Sequence, residues 1–361
     1  MSDEIYHKLA RVLDTLPNGF PSTDSGVEIR ILKKIFTPED AELFCRLRLT
    51  FETVEQIAQR TGLPLKGLEE QLIQMAEKGQ LFMIELGGTR IFKMLPWVFG
   101  IYEFQLGHLD KEFVELHEEY RPVFGKQFYT QTPQMMQTLP VEEEIKTQQI
   151  ALPFERVSTL IESSQSFRVL DCICKKEQAI LNNPCQKPKQ VCMAFAPVPD
   201  IFHDDANGRA ITKEEAKSIL KQAEEVGLVH LTSNFQNGRF FICNCCGCCC
   251  GVLHSINKLG LPASQVINSH YYARIDEDAC TACGICADER CQVHAIEAGE
   301  DTYRVIQENC IGCGLCATTC PAEAIELIRK EEKDSVLPPM DEAIWFKERG
   351  KQRGIDFSKY E

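Results

Sequence analysis

Long apolar runs are missing from this sequence. The most apolar passage, residues 91–104, is broken by Lys93 and Pro96 and is too short to cross a bilayer, so no transmembrane segment is expected. The N-terminus, Met1-Ser2-Asp3-Glu4-Ile5-Tyr6, is acidic and lacks the apolar core of a secretory signal, so export is not expected either. No G-x-G-x-x-G fingerprint is visible, which argues against a nicotinamide or flavin site of that type. No Ser/His/Asp arrangement can be picked out. Positive charge is short as well: 39 Lys and Arg stand against 53 Asp and Glu, a formal charge of −14. That balance disfavours nonspecific attraction to nucleic acid or to anionic lipid. What remains, at 44% hydrophobic and 25% charged residues, is an ordinary soluble composition over 361 residues, enough for two or three domains.

Cysteine, by contrast, is abundant. Nineteen of them in a chain without an export signal read as metal ligands, not disulfides, and imply a reducing cytoplasm in an organism living with little oxygen. One run reads Cys280-x2-Cys283-x2-Cys286-x4-Cys291, and a second Cys310-x2-Cys313-x2-Cys316-x3-Cys320-Pro321. Three thiolates separated by two residues can wrap one face of a cubane, while the fourth must come from a distance. Paired CxxC segments also build structural zinc sites. The tripled spacing, repeated and closed by Cys-Pro, favours iron–sulfur chemistry.

The pattern closely resembles that of two-cluster bacterial ferredoxins. The resemblance implies two [4Fe-4S] clusters in which the fourth cysteine of each run ligates the other run's cluster. Cys320 would complete the set Cys280, Cys283 and Cys286, and Cys291 the set Cys310, Cys313 and Cys316. Gly284, Gly312 and Gly314 sit beside ligands, where backbone must approach the cluster. A short helical phrase is expected after each run, Val293–Ile296 and Ala322–Ile325, leading into a strand. The first run departs from the pattern twice. Four residues, not three, precede Cys291, which loosens the turn there, and Gln292 stands where proline is usual.

Upstream, residues 37–94 read as helix–helix–hairpin. Thr37-Pro38 opens one helix carrying Ala41, Phe44, Cys45 and Leu49, and Thr53-x-x-Gln56 is a capping box before the next. Leu65, Leu68, Leu72 and Met75 stripe a third helix, and Gly87-Gly88 turns a hairpin. The region resembles a winged helix-turn-helix. Charge speaks against DNA binding: from Thr37 to Leu86 there are nine acidic and five basic side chains, with Glu69, Glu70 and Glu77 on the would-be recognition helix. A docking or scaffold role is expected instead, with Cys45 a core residue. Residues 100–121 read as one helix with Phe104, Leu109, Phe113, Leu116 and Tyr120 inward. His108 and His117 on it are expected to be solvated or hydrogen-bonded. Residues 125–152 read as an extended, proline-punctuated connector.

The centre of the chain carries a second cysteine system: Cys172, Cys174, Cys185 and Cys192, then Cys243, Cys245, Cys246, Cys248, Cys249 and Cys250. Between them, Thr212-x-x-Glu215 opens a helix whose stripe Ala216, Ile219, Leu220, Ala223 and Val226 should pack on a strand at 228–232. The first four thiols form either a structural zinc site or a further iron–sulfur cluster, with Lys175, Lys176, Lys187 and Lys189 offsetting their charge. The crowded second set cannot bind one cubane without strain. It shares ligands with the first, holds an unusual cluster, or keeps a reactive thiol pair. Its two Cys-Cys-Gly tripeptides are similar to the motif of heterodisulfide reductase catalytic subunits.

As a whole, the chain resembles a group of multidomain 4Fe-4S-binding proteins of anaerobic bacteria. The fold class expected is α+β and multidomain. It comprises a winged-helix-like region (1–125), a connector (126–165), a cysteine-rich α/β module (166–270), a two-cluster ferredoxin domain (271–330) and a tail (331–361) that docks as a short helix. The function expected is iron–sulfur electron transfer through two [4Fe-4S] clusters and one or two further central clusters. The expected partners are redox proteins of a larger oxidoreductase complex, with no nucleic acid. The alternatives are a reductase subunit with Cys243–Cys250 as its active centre, and a redox-sensing transcription factor.

Overall fold

The computed structural model describes residues 2–145 and 151–361, so residues 146–150 of the expected connector lie outside the described residues. The chain is mixed α+β and divides into two compact units, Met1–Phe128 with Phe346–Glu361, and Tyr129–Trp345.

The first unit opens with helices α1 (Ser2–Thr15) and α2 (Val27–Ile35). Helix α3 (Pro38–Phe44) starts where the Thr37 hydroxyl accepts the Asp40 N–H at 3.1 Å, satisfying one of the orphan donors of the first turn. It stops at Phe44, sooner than the apolar spacing suggests, and Leu49 is buried from a loop. Cys45 is buried and its thiol is pushed up to about 11 by that burial, as a core residue requires. Strand β1 (Glu52–Thr53) leads into α4 (Val54–Thr61), whose capping box has both arms: Gln56 N–H to Thr53 at 3.4 Å and Thr53 N–H to Gln56 at 2.8 Å.

Helix α5 (Leu68–Glu77) begins only after Gly67, which is left-handed. Leu65, expected on its stripe, therefore lies outside the helix and is 52% exposed. Strands β2 (Leu81–Leu86) and β3 (Thr89–Met94) form the hairpin at Gly87-Gly88, and β1 adds to the outer edge of β3. The single helix expected over 100–121 is broken. Val98, Phe99 and Gly100 have non-helical backbone, short turns follow, and α6 (Lys111–Tyr129) starts where Asp110 accepts the Phe113 N–H at 2.8 Å. Phe104 is consequently 40% exposed. His117 is not solvated: it is buried, with its ring stacked on Tyr102 at 4.1 Å between centroids.

The second unit is built on a seven-stranded sheet. Its members are β4 (Met136–Leu139), β5 (Ser166–Asp171), β6 (Gln190–Ala196), β7 (Gly208–Ile211), β8 (Val229–Ser233), β9 (Phe241–Cys245) and β10 (Ile267–Asn268), in the order β10-β4-β8-β9-β6-β5-β7. All pairs are antiparallel except β10 with β4. Strand β4 corrects the sequence reading, for it lies inside the expected connector and every residue of it is buried. Helices α7 (Val157–Glu162) and α9 (Lys213–Glu225), with α8 (Ile173–Ile180) between them in sequence, accompany this sheet. Leu160, Ile161, Ala216 and Leu220 pack on Phe167, Val169, Met193, Phe195 and Ile242 to make its core. Thr212 caps α9 by accepting the Glu215 N–H at 3.1 Å, but Glu215 turns to Arg209 at 2.5 Å. Val226, expected on the buried stripe, falls past the helix end and is 38% exposed. Helix α10 (Gly251–Asn257) follows β9 directly.

Beyond it, β11 (Tyr271–Ile275) pairs antiparallel with β14 (Ile325–Arg329), and β12 (Ile296–Ala298) with β13 (Tyr303–Val305). The β12–β13 hairpin thus lies between the two cysteine runs, while β11 and β14 bracket them. The tail forms α11 (Glu342–Arg353), with Trp345 buried and its indole N–H donating to the Gln134 carbonyl at 2.9 Å.

Candidate metal centres

The duplication of the two C-terminal runs extends to single backbone angles. Ala282 and Gly312 have φ of 53° and 61°, Gly284 and Gly314 have 81° and 82°, and His294 and Glu323 both have 51°. Left-handed residues beside the cysteines turn the chain so that successive thiols face inward. At Gly312 a side chain would also collide with the Tyr271 carbonyl. The expected helical phrases at 293–296 and 322–325 are turns, because the left-handed His294 and Glu323 prevent a helix.

Cys280, Cys283, Cys286 and Cys320 line one cavity together with Gly284, Tyr303 and Pro321. Cys291 lies with the other run. Burial raises the Cys313 thiol to about 12, and the neighbouring Cys310 and Cys291 thiols push it the same way. Backbone N–H groups aim at sulfur throughout: Ala295 at Cys291 (3.1 Å), Ala324 at Cys320 (3.3 Å), Ala273 at Cys310 and Ala282 at Cys280 (both 3.4 Å). Four thiols around a space in the first set, and N–H donors at the sulfurs of both sets that offset thiolate charge, fit thiolate-held cubanes. Such a group would supply one-electron redox chemistry.

The extra residue before Cys291 is absorbed in a single wide turn. The Cys291 N–H reaches back five residues to the Cys286 carbonyl at 3.0 Å, whereas Cys320 reaches back three to Ala317 at 3.2 Å. Such one-residue expansions of a helical turn are common at functional sites. Here the turn buries Arg290. Its guanidinium donates to the carbonyls of Leu315 (3.1 Å), Glu225 (2.9 Å) and Glu224 (2.8 Å) and to the Thr318 hydroxyl (3.1 Å). It thereby caps the C-terminal end of α9, where a cation is favoured, and ties that helix to the second run. The second departure, Gln292, is used in the same joint. Its side-chain oxygen accepts the Gly247 N–H and its carbonyl accepts from Asn257, both at 2.9 Å. Gly247 is required there, since a Cβ would strike the Gln292 carbonyl. Both residues look like mere irregularities in the sequence, and their partners are too far along the chain for spacing to signal them.

The central cysteines gather at one end of the sheet, where β5 ends, β6 begins and β9 ends. In that register Leu170 faces Cys192, Leu231 faces Cys243 and Val229 faces Cys245. The expected set Cys172, Cys174, Cys185 and Cys192 packs into one cluster with Cys246 and Cys249. Within it Cys185 lies tightest with Cys246, Cys248 and Cys249, all four sulfur atoms being within 4.8 Å of one another. Their contacts are 3.2 Å (Cys246–Cys248), 3.6 Å (Cys185–Cys248), 3.7 Å (Cys248–Cys249) and 3.8 Å (Cys185–Cys246). Thiolates about 2.3 Å from one tetrahedral ion stand about 3.8 Å apart, so this set fits a single metal ion better than a cubane. A hydrogen bond with Cys249 holds the Cys246 thiol down at about 5, against burial. Lys187, expected beside the first four thiols, lies beside Cys185, Cys246 and Cys248, with its ammonium on the Val226 (2.6 Å) and Gly227 (3.1 Å) carbonyls.

The other six cysteines close a ring. Cys172 lies beside Cys174, Cys174 beside Cys250, Cys250 beside Cys245, Cys245 beside Cys243, Cys243 beside Cys192, and Cys192 beside Cys172. The stretch 243–250 thus divides its thiols, Cys243, Cys245 and Cys250 to the ring and Cys246, Cys248 and Cys249 to the quartet. Cys243 and Cys245 go to the same site because residues two apart on β9 share a face.

No helix among the described residues is long and apolar enough to cross a membrane. No curated protein and no solved structure matches the chain. Residues 273–327 match the family of the 4Fe-4S dicluster domain, so the C-terminal region is ferredoxin-like and 4Fe-4S-binding.

Proposed function

We propose that this protein is an iron–sulfur electron carrier that relays electrons between its two ferredoxin-type clusters and a central cysteine-rich centre. The observation that carries this reading is the Arg290 and Gln292 joint, which sets the second ferredoxin run against the central cysteines. In this reading Cys280, Cys283, Cys286 and Cys320 hold one cubane, and Cys310, Cys313, Cys316 and Cys291 the other. Backbone N–H groups at their sulfurs stabilise the thiolates, and burial keeps water from the second set. The protein works in a reducing cytoplasm and exchanges electrons with larger redox partners.

Metal and sulfide analysis of anaerobically prepared full-length protein tests this. The two ferredoxin sets account for about eight irons, and a central cluster raises the total to at least about twelve. The Cys185 quartet adds about one tetrahedral ion, zinc or iron. A total of about eight irons, with the central cysteines all open to alkylation, would leave a plain ferredoxin on an inert scaffold.

The first unit we read as a winged-helix-like docking module, not a reader of DNA. Helix α5 presents Glu69 and Glu70, and Glu69 and Glu85 engage Arg90 of the hairpin at 3.2 and 3.1 Å. The cation that would meet a phosphate is already neutralised. The full chain is therefore expected to give no sequence-specific footprint on duplex DNA at physiological salt. Salt-dependent submicromolar retention would instead favour the transcription-factor alternative.

A further inference from the structure

Six of the central thiols are left over once the quartet is accounted for, and their arrangement differs from it in kind. In the quartet every sulfur lies near every other, as around one ion. In the ring the strands bring Cys192, Cys243 and Cys245 to one end of the sheet with Cys172, Cys174 and Cys250 around them, each thiol beside two others, and the set is not drawn into one such knot. Six thiols disposed around a perimeter cannot all ligate one tetrahedral ion, which closes with four.

Charge leads to the same conclusion. Six thiolates around one divalent ion would leave a net charge of −4 in a largely buried site, and uncompensated buried charge is strongly penalised. Several cations are needed. Compensation from the backbone is already built in, because the N–H groups of Lys175, Gly251 and Leu253 donate to Cys172, Cys174 and Cys250. The ferredoxin runs show the same N–H to sulfur pattern. None of the six is in a disulfide.

We propose that Cys172, Cys174, Cys192, Cys243, Cys245 and Cys250 together hold one polynuclear iron–sulfur cluster through six thiolates. Each thiol releases its proton on binding, and no electron is transferred in that step. The choice of iron rests on the relay reading above; the nuclearity rests on the ring alone. The ring is the relay's central cluster, and the quartet is a separate single-ion site beside it.

The test uses the full chain, reconstituted anaerobically with ferrous iron and sulfide, then alkylated natively and mapped by peptide. All six ring thiols are expected to be protected, and to become reactive together when iron is chelated. Cys174 and Cys243 lie opposite one another in the ring. Cys174→Ala and Cys243→Ala are each expected to unprotect the remaining five and to lower iron by at least about four per chain. The wild-type protection pattern needs no variant, so a variant that fails to fold does not remove the test. Protection of only four ring thiols, stoichiometric zinc lost with the ring, recovery of ring disulfides, or free alkylation of the loaded protein would each overturn the proposal. Protection of Cys280–Cys320 is scored separately, so failure of the ring is distinct from failure of the ferredoxin reading.

Discussion

Cys320→Ala should strip the iron held near Cys280, Cys283 and Cys286 while leaving the cluster of its own run in place. Cys320 is remote from those three in sequence but lines the same cavity, and Pro321 behind it fixes the direction in which the chain leaves. Removing one of four thiolates opens a corner of the cubane to solvent, so about four of the eight ferredoxin irons should be lost. Native alkylation should then label Cys280, Cys283 and Cys286 and spare Cys310, Cys313 and Cys316. Cys291→Ala should give the mirror result, with Cys310, Cys313 and Cys316 labelled. If Cys320→Ala instead exposed Cys310, Cys313 and Cys316, each run would be closing its own cluster and the cross-ligation would be wrong.

The second large effect is expected at Arg290. Its guanidinium makes four hydrogen bonds from a buried position, three of them to main-chain carbonyls, of which Glu224 also accepts from the Gly227 N–H and Leu315 from the Thr318 hydroxyl. Arg290→Ala removes all four of these charge-assisted bonds from a buried joint, at a cost of about 3 kcal/mol. For a unit of this size that corresponds to a fall of roughly 6–12 °C in the unfolding temperature. Arg290→Lys should recover little of it, since one ammonium cannot reach the end of α9 and the Leu315–Thr318 turn together. Gln292→Pro restores the residue usual in ferredoxins and removes the acceptor for the Gly247 N–H and the side-chain donor to the Arg290 carbonyl. It should leave the ferredoxin iron content intact while slowing electron exchange with the central cluster, measured by freeze-quench EPR. An Arg290→Ala protein as stable as the wild type would show that the joint is not what holds the ferredoxin region to α9.

The eight C-terminal cysteines were legible because ligand spacing in a tight loop is dictated by the cluster and not by the rest of the chain. The caps at Thr37, Thr53 and Thr212 were legible for the same reason: each is a local contact over three residues. What escaped the sequence was set by strands meeting at a distance. Cys185 and Cys192 are near neighbours in the chain, yet β6 carries Cys192 to the ring while Cys185, in the loop before it, faces the quartet. Strand β4 escaped because four residues between prolines offer too little alternation to read. Helix α6 starts later than the apolar spacing over 100–121 suggests, because the backbone is non-helical through Gly100 and the helix restarts only at the Asp110 cap.

The shared stretch Cys243–Cys250 has a consequence for how this protein would be made and how it would fail. Its thiols are divided between two sites along a backbone of only a few residues, so the two sites share one segment. Cys243 and Cys245 are held in β9, but Cys250 leaves the same turn that presents the quartet, so filling the quartet should fix where Cys250 points. Maturation should therefore be close to all-or-none at the centre, with half-filled molecules scarce. Damage by oxygen at the exposed Cys248 should likewise spread to the buried ring instead of stopping at one metal.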